Sequence, residues 1–267
     1  MDNIERFANG EAAFASLQVP AWHRLGTVFE DVMSTDEILA TAHMADWNVR
    51  LVPAVQAHGE LLLEIPEKFT VIRNNPVSDS VDALSVVGTK YTAVQNEQVF
   101  GFGQAILDNS PDAVWETAGS IREGRTIFGT LRMSGLDIMV GGQDVVDCYL
   151  VVTSSHDGSS GVAAIVTPIR VVCKNTLAMA MGSAKASFKA RHTSSIDGRI
   201  EDAQEALGIT YKFMEEFEAT ATTLADRQVD LGQLEQIVET IWAKDPKWDD
   251  LGADERRTGL SRWENRL

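Results

Sequence analysis

The sequence predicts an α+β fold: an antiparallel β-meander sheet packed by helices, with a helical region at the C-terminal end. Strand-like apolar segments fill most of the first part of the chain, whereas helical periodicity dominates the last part. The pairs Glu123-Gly124 and Asp157-Gly158, which favour tight turns, separate neighbouring strand-like segments. An order of strands first and helices later is typical of α+β proteins rather than of alternating βα units.

The first elements follow from local chemistry. Ser34 or Thr35 is placed to cap a first helix, which has Glu37 in its first turn. Strand-like segments between residues 47 and 90 predict a meander with a turn at residues 58–60. Asn96 is a suitable N-cap for a second helix, because an apolar stripe at helical spacing follows it.

Two hairpins and further helices complete the predicted order. The hairpins centre on Glu123-Gly124 and Asp157-Gly158, and the alanine- and methionine-rich residues 175–188 predict a helix. Longer helical segments follow residue 194, with a break near residues 226–230. We therefore expect an α+β core domain over residues 1–193 and a helical C-terminal region over residues 194–267, which either belongs to the same domain or stands apart from it.

Composition is that of an ordinary globular protein. The 267 residues are 44% hydrophobic and 23% charged. No run approaches the ~18 consecutive apolar residues of a membrane span, and the acidic start of the chain lacks the apolar segment of a secretory signal. We expect a cytoplasmic location in a bacterial host cell and no membrane partner.

The two cysteines and the absence of cofactor motifs narrow the chemistry. Cys148 and Cys173 lie in apolar strand-like runs, which favours buried thiols in a reducing compartment, although a disulfide between neighbouring strands is an open alternative. The sequence has no phosphate loop, and its Gly101-Phe102-Gly103 fragment lies in a helical stripe where tight helix packing explains it better than a dinucleotide site. We expect no cofactor and no metal; the sequence shows no assembled active site, which favours a binding protein and leaves the question of an enzyme open.

Charge is distributed unevenly. The net charge of −16 argues against a protein coated with DNA-binding charge. Residues 161–192, however, contain five lysines and arginines and no acid. An asymmetry of this kind indicates a local anion-binding face.

The best candidate site lies in this window, where a strand passes into a helix near Lys174. A helix start offers unpaired backbone N–H groups and the positive end of the helix dipole. Phe188 stands among cations and is suited to stack on a base. The predicted surface for single-stranded nucleic acid consists of Arg170, Lys174, Asn175, Thr176, Lys185, Phe188, Lys189, Arg191 and His192. In the alternative, Arg170 and Lys174 form ion pairs with acids elsewhere in this acidic chain.

Other polar clusters are weaker candidates. Residues 154–157 (SSHD) contain the residue types of a hydrolase triad, but adjacent turn residues do not converge, so we interpret them as a turn. A second basic set comprises Arg122, Arg125 and Arg132, of which the last two face opposite sides of an ideal strand. A metal-dependent hydrolase would need His23, His156 or His192 to meet carboxylates in the folded chain.

Four motifs together resemble a known family. They are PAWHRLGT at residues 20–27, KYTAVQNE at 90–97, RVVCKNT at 170–176 and RHT at 191–193. In combination they are similar to the phage/plasmid-like proteins of the family called domain of unknown function 932, over most of the chain from residue 20. The resemblance implies an origin in phage, prophage or plasmid DNA and implies no reaction.

A weaker likeness concerns topology. From Tyr91 to Ala180 the order of helix, antiparallel strands and helix resembles the core of the single-strand annealing recombinases. That likeness implies assembly of the chain into homo-oligomers such as rings or filaments. The helix after the strands carries fewer cations here than in those proteins. We expect a phage-encoded protein that binds or anneals single-stranded DNA in recombination or replication; the alternatives are a metal-dependent hydrolase acting on nucleic acid and an acidic host-interaction protein.

Overall fold

The structure is a computed structural model. It describes residues 3–108, 112–133, 137–140, 144–183, 187–190, 192, 219–224, 226–227, 229–234 and 236. The chain divides into two compact units, Met1–Thr220 and Ala221–Leu267. The predicted boundary at residues 193 and 194 lies outside the described residues.

The first unit contains the strands and helices of an α+β protein. In chain order they are β1 (Phe14–Leu17), β2 (Thr27–Phe29), α1 (Thr35–Thr41), β3 (Arg50–His58), β4 (Leu61–Asn74), β5 (Val81–Gly88), α2 (Asn96–Leu107), β6 (Ala113–Ile121), β7 (Thr126–Met133), β8 (Ile138–Val140), β9 (Asp144–Val146), β10 (Tyr149–Ser155), β11 (Val162–Thr167), α3 (Lys174–Ser183) and β12 (Ser187–Ala190).

Antiparallel pairing dominates, which confirms the predicted class. The largest sheet has seven strands in the order β12-β11-β10-β7-β6-β1-β2, and all neighbours in it are antiparallel except β1 and β2. Strands β3, β4 and β5 form a separate antiparallel meander, and β8 pairs with β9.

The seven-stranded sheet is covered on both faces. On one face it packs against α1, α2 and the three-stranded sheet, and the rings of Phe100 and Trp115 lie 4.9 Å apart between centroids. The other face, which we call the α3 face, packs against Leu177 and Ala180 of α3 and against Ile4 of the N-terminal segment. Because both faces are covered, the central strands are almost continuously buried, with polar side chains such as Thr117 and Thr130 among the apolar ones.

Local signals in the sequence place two turns and the cap of α1 correctly. Glu123 and Gly124 have φ of 59° and 84°, and the Arg125 N–H donates to the Arg122 carbonyl at 3.3 Å, which is a type I′ turn. Ser34 caps α1, and Glu37 completes a capping box. The φ of 72° at Gly158 serves the turn between β10 and β11.

Two local predictions are wrong. The predicted helix of residues 175–188 ends at Ser183, and Phe188 lies on β12 opposite Ala164, where its ring packs against Phe102. Tertiary burial of this ring outweighs the helical composition of its surroundings. Asn96 does not cap α2, because its buried side chain donates to the Met44 carbonyl at 2.7 Å.

The N-terminal segment contributes a strand that the sequence does not reveal. β1 lies between β6 and β2 in the sheet. Its pairing with β6 joins residues 14–16 to residues 117–119, which are about a hundred positions away in the chain. The motif at residues 20–27 follows it, and Gly26, with φ of 76°, lies against Phe14. A Cβ at this position would overlap the Phe14 carbonyl oxygen, so the motif requires glycine here.

The second unit contains two helical stretches among its described residues. Residues 221–224 and 231–234 are helical, and Asp230 caps the latter by accepting from the Gln233 N–H at 2.8 Å. This cap coincides with the predicted break near residues 226–230. Among the helices described in the chain, none has the length and apolar character needed to cross a membrane.

The two cysteines are buried and form no disulfide. Cys148 belongs to the core on the side of α1 and α2, whereas Cys173 belongs to the core of the α3 face. Burial raises the pKa of the Cys148 thiol to about 12, so this thiol stays protonated at neutral pH.

Candidate nucleic-acid interface

A polar cleft of about 490 Å³ lies where the turn between β6 and β7 meets the N-terminal segment and the start of α3. We call it the basic cleft; it is lined by Asn3, Ile4, Glu5, Arg6, Arg122, Glu123, Arg125 and Lys174. Four of these side chains are cationic and two are carboxylates. Both carboxylates have cationic partners, since Glu5 pairs with Arg73 and Glu123 with Arg125. The cleft is therefore a positive surface on a chain of net charge −16.

The type I′ turn presents the two arginines of the cleft. Arg122 and Glu123 both adopt left-handed backbone conformations, with φ of 57° and 59°. Such residues cost about 1–3 kcal/mol each and concentrate at functional sites. The Arg122 N–H donates to the Asn3 carbonyl at 3.1 Å, which holds the turn against the N-terminal segment.

Arg122 also connects the cleft to the neighbouring turn. Its Nη2 lies 2.7 Å from Oδ2 of Asp157 in the turn between β10 and β11. Burial acts to raise the pKa of Asp157, but hydrogen bonds from Ser159 and the charge of Arg122 hold it below its usual value. Asp157 is therefore ionised at neutral pH and keeps Arg122 in place.

Arg125 and Lys174 are both accessible from solvent. Arg125 lies 3.4 Å from Glu123 in an exposed ion pair, a kind that contributes only about 0–1 kcal/mol and yields readily to an incoming anion. Lys174 is exposed and begins α3, whose N-terminal dipole adds to the positive field.

An exposed tryptophan lies on the α3 face of the sheet, as the start of α3 does. Trp22 is 65% exposed, and its neighbour His23 bonds through Nε2 to the Val172 carbonyl at 2.9 Å. This bond fixes the loop of Trp22 beside the start of α3, two residues before Lys174. Arg24 in the same loop is also exposed. The combination of a flat aromatic ring and nearby cations suits an unpaired base and its phosphate.

Only some residues of the predicted strand-to-helix site are exposed to solvent. Arg170 lies 2.7 Å from Glu116 and donates to the Val19 carbonyl at 2.9 Å, which is the ion-pair alternative raised by the sequence. The Thr176 hydroxyl accepts from the backbone N–H groups of Val172 and Cys173, both at 3.0 Å, and so organises the start of α3. Lys174 and Asn175 are exposed.

The remaining predicted residues lie on different surfaces. Phe188 is half-buried on the side of α1 and α2, with its ring centroid 5.3 Å from that of Phe102. Lys189, the next residue on β12, is exposed and points to the α3 face. His192 is buried. Lys185 and Arg191 lie outside the described residues.

Buried histidines form a polar layer beneath the turn between β10 and β11. His156 bonds through Nε2 to the Asn96 side-chain oxygen at 2.9 Å. His192 bonds to the Ser154 hydroxyl at 3.0 Å and stacks on Tyr91, with ring centroids 5.0 Å apart. Ser154 is fully buried, so this serine–histidine pair has no access to substrate and is structural. Burial lowers the pKa of His192.

The third histidine named with these two lies elsewhere. His23 contacts Phe14 on the α3 face, whereas His156 and His192 lie on the side of α1 and α2. The three histidines that the hydrolase alternative invokes therefore do not meet. Among the described residues, no group of three or more His, Cys, Asp or Glu side chains is arranged to hold a metal.

Sequence reasoning missed part of the cleft. Arg122 and Arg125 were visible as a basic set, and the turn between them was predicted, so their shared position could have been inferred from the turn alone. Arg6 could not be placed, because the N-terminal segment reaches the cleft through long-range pairing such as that of Ile4 with Ile121. Trp22 was visible as part of a motif, but its exposure depends on the folded loop.

Comparison with known proteins identifies the family of the chain. The structure defines an α+β protein whose antiparallel core sheet carries a cationic cleft at one end. The family model described as domain of unknown function (DUF932) matches residues 83–265, and the chain belongs to this family. The matched residues include Arg122, Arg125 and Lys174 and exclude the motif of Trp22. No curated protein and no solved structure matches the chain.

Proposed function

We propose that this protein binds single-stranded nucleic acid, and that it does so as a phage-encoded protein that binds or anneals strands in recombination or replication. The observation that carries the proposal is the basic cleft: four cationic side chains from three parts of the chain converge on one concave surface. Cations that are placed close together repel one another, whereas a polyanionic ligand is attracted by such a group.

Phosphates suit the chemistry of the cleft. Arginine side chains donate two parallel hydrogen bonds to a phosphate, and a lysine adds a point charge. Lys174 is exposed and Arg125 is partly exposed for these contacts, while Arg122 is held by Asp157 and fixes the shape of the turn. Lys189 extends the positive surface on the α3 face.

The charge variants Arg125→Glu and Lys174→Glu test the cleft. We expect the wild type to bind a labelled single-stranded oligonucleotide more tightly than a duplex and to lose affinity steeply as salt increases. Each variant should weaken binding and reduce the slope of log affinity against log salt by about 0.7 for each lost phosphate contact. Fluorescence anisotropy at several salt concentrations measures both quantities.

Lys68→Glu provides the matched control, because Lys68 is an exposed cation on β4 outside the cleft. It makes the same change in net charge and should leave the salt slope close to that of the wild type. The proposal fails if the wild type does not bind at low salt, or if the three variants lose affinity equally.

Trp22 supplies the preference for single strands. A base can stack on this exposed ring only when it is not already stacked within a duplex, and such stacking contributes about 1–3 kcal/mol per base. We expect Trp22→Ala to weaken binding of a single-stranded oligonucleotide by about 5- to 150-fold, with Trp22→Phe close to the wild type. Polyphosphate, which has phosphates but no bases, separates phosphate binding from base stacking when it is used as a competitor. We expect Lys174→Glu to weaken the binding of polyphosphate and Trp22→Ala to leave it unchanged. Equal effects of Trp22→Ala on both ligands would remove Trp22 from this role.

A further inference from the structure

The hairpin of β3 and β4 ends in an apolar segment that the rest of the described chain does not cover. We call residues 55–65 the arm. Its exposed apolar side chains are Val55 at 53%, Leu61 at 62%, Leu62 at 72%, Leu63 at 52% and Ile65 at 37% exposure. They lie on both faces of the hairpin, because neighbouring residues of a strand point to opposite sides. A cluster of exposed apolar side chains of this kind marks an interaction site.

The backbone of the arm is also unpaired along one side of β4. β3 pairs with Leu61–Glu64, but β5 pairs with β4 only from Lys68 onward, so no strand among the described residues covers the outer edge of Leu61–Ile65. Pro66 has no N–H, and Glu67 has φ of 58°, so the open edge ends there. A two-stranded hairpin is marginally stable alone, and an exposed apolar edge is a template for another strand.

We propose that the arm pairs with the arm of a second copy of this chain, β4 against β4 in antiparallel orientation, about a two-fold axis at Leu63. A two-fold axis normal to the sheet places one residue opposite itself, and this choice sets every other pair. With Leu63 at the axis, Leu61 lies opposite Ile65 of the second copy, and Leu62 lies opposite Glu64.

Charge selects this register over its neighbours. An axis at Leu62 would place Glu60 opposite Glu64, and an axis at Glu64 would place that carboxylate opposite itself. Like charges directly opposite each other destabilise a strand pair. The axis at Leu63 opposes no two carboxylates among residues 59–67.

Apolar packing favours the same register. Leu61 and Leu63 share one face of β4, and alternation continued beyond Glu64 places Ile65 with them, so the two copies together present six apolar side chains in one stripe. The pairing also satisfies the open backbone edges and converts two marginal hairpins into a four-stranded sheet. This inference does not depend on nucleic-acid binding.

Sedimentation velocity of the full chain tests the association. We expect the wild type to form dimers with increasing concentration and Leu63→Lys, which places two ammonium groups opposite each other, to raise the dissociation constant at least about tenfold. Val86→Lys is the matched control, because Val86 is 60% exposed on β5 and lies outside the arm. A wild type that stays monomeric, or a Leu63→Lys variant that associates like Val86→Lys, would overturn the proposal.

Disulfide formation tests the register. In Leu63→Cys the two Cβ atoms would lie about 4.5–5.5 Å apart across the axis, close enough for a cross-strand bond after small adjustment. In Leu61→Cys the two positions would be about 13 Å apart, which is too far. The native cysteines are buried and contribute little background. Under mild oxidation we expect covalent dimers from Leu63→Cys and not from Leu61→Cys; the reverse pattern, or equal yields, would exclude this pairing.

Discussion

At the scale of single residues, the contacts of His156 determine its protonation state. The Asn96 amide nitrogen donates to the Met44 carbonyl at 2.7 Å, so the Asn96 oxygen faces His156 and requires a proton on Nε2. Nδ1 of His156 is buried and has no hydrogen-bond partner in the described part of the chain. Burial, followed by the nearby His192 and Arg73, lowers the pKa of His156 to about 3. The imidazole is therefore neutral in the folded protein.

Stability should consequently fall as the pH drops below about 6.5, the pKa of a histidine in an unfolded chain. Below that value the histidine of the unfolded chain binds a proton, whereas His156 in the folded protein stays neutral. The free energy of unfolding therefore decreases by up to about 1.4 kcal/mol per pH unit. His192 acts in the same direction, because burial lowers its pKa too. The measurement is urea unfolding between pH 7.5 and 5.

His156→Gln should reduce this pH slope, because glutamine retains an N–H donor for Asn96 and does not titrate. His58→Gln, at the exposed end of β3, should leave the slope unchanged. If His156→Gln kept the full slope of the wild type, the buried imidazole would not be its source.

At the scale of elements, the sequence predicts what nearby residues decide. Ser34 with Glu37, and Glu123 with Gly124, specify a cap and a turn through contacts within four positions, and both form as predicted. The position of β1 between β6 and β2 depends on partners about a hundred residues away, which no local pattern contains. The same limit explains Phe188, whose strand and burial are set by β11 and Phe102.

Arg73 illustrates a long-range element contact that also shapes the candidate site. It is buried on β4, lies 4.0 Å above the Trp47 ring, and donates to Glu5 and Asp82. Glu5 lines the basic cleft, so this ion pair attaches the cleft to the three-stranded sheet. A buried charge is tolerated only when its partners are in place, and one of these partners is 68 residues away. Sequence alone could therefore indicate the cations of the cleft but not which of them are committed to partners.

At the scale of the whole molecule, the charge of the basic cleft is opposite in sign to the net charge of the chain. Residues 161–192, which contain no acid, indicate a cationic site at the start of α3, and Lys174 does line the cleft. Composition alone could not show that Arg170 of the same window is held by Glu116, because that pair joins β6 to the segment before α3. The protein thus combines a local positive surface with a net charge of −16, and the two act over different distances.

This combination predicts an unusual salt dependence for the rate of association with a single-stranded oligonucleotide. At about 0.01 M salt the Debye length is roughly 30 Å, so an approaching strand is repelled by the whole chain; at about 0.1 M it is roughly 10 Å, and the strand responds to the cleft alone. We therefore expect the association rate constant to increase over this range while the dissociation rate constant also increases, so that affinity falls mainly through dissociation. Stopped-flow fluorescence with a labelled strand measures both rate constants. We expect the association rate constant of Arg125→Glu to increase more steeply with salt than that of the wild type, because the variant weakens the local attraction of the cleft. An association rate constant that falls steadily from low to high salt, as it does for basic proteins, would mean that the field of the cleft dominates at every distance.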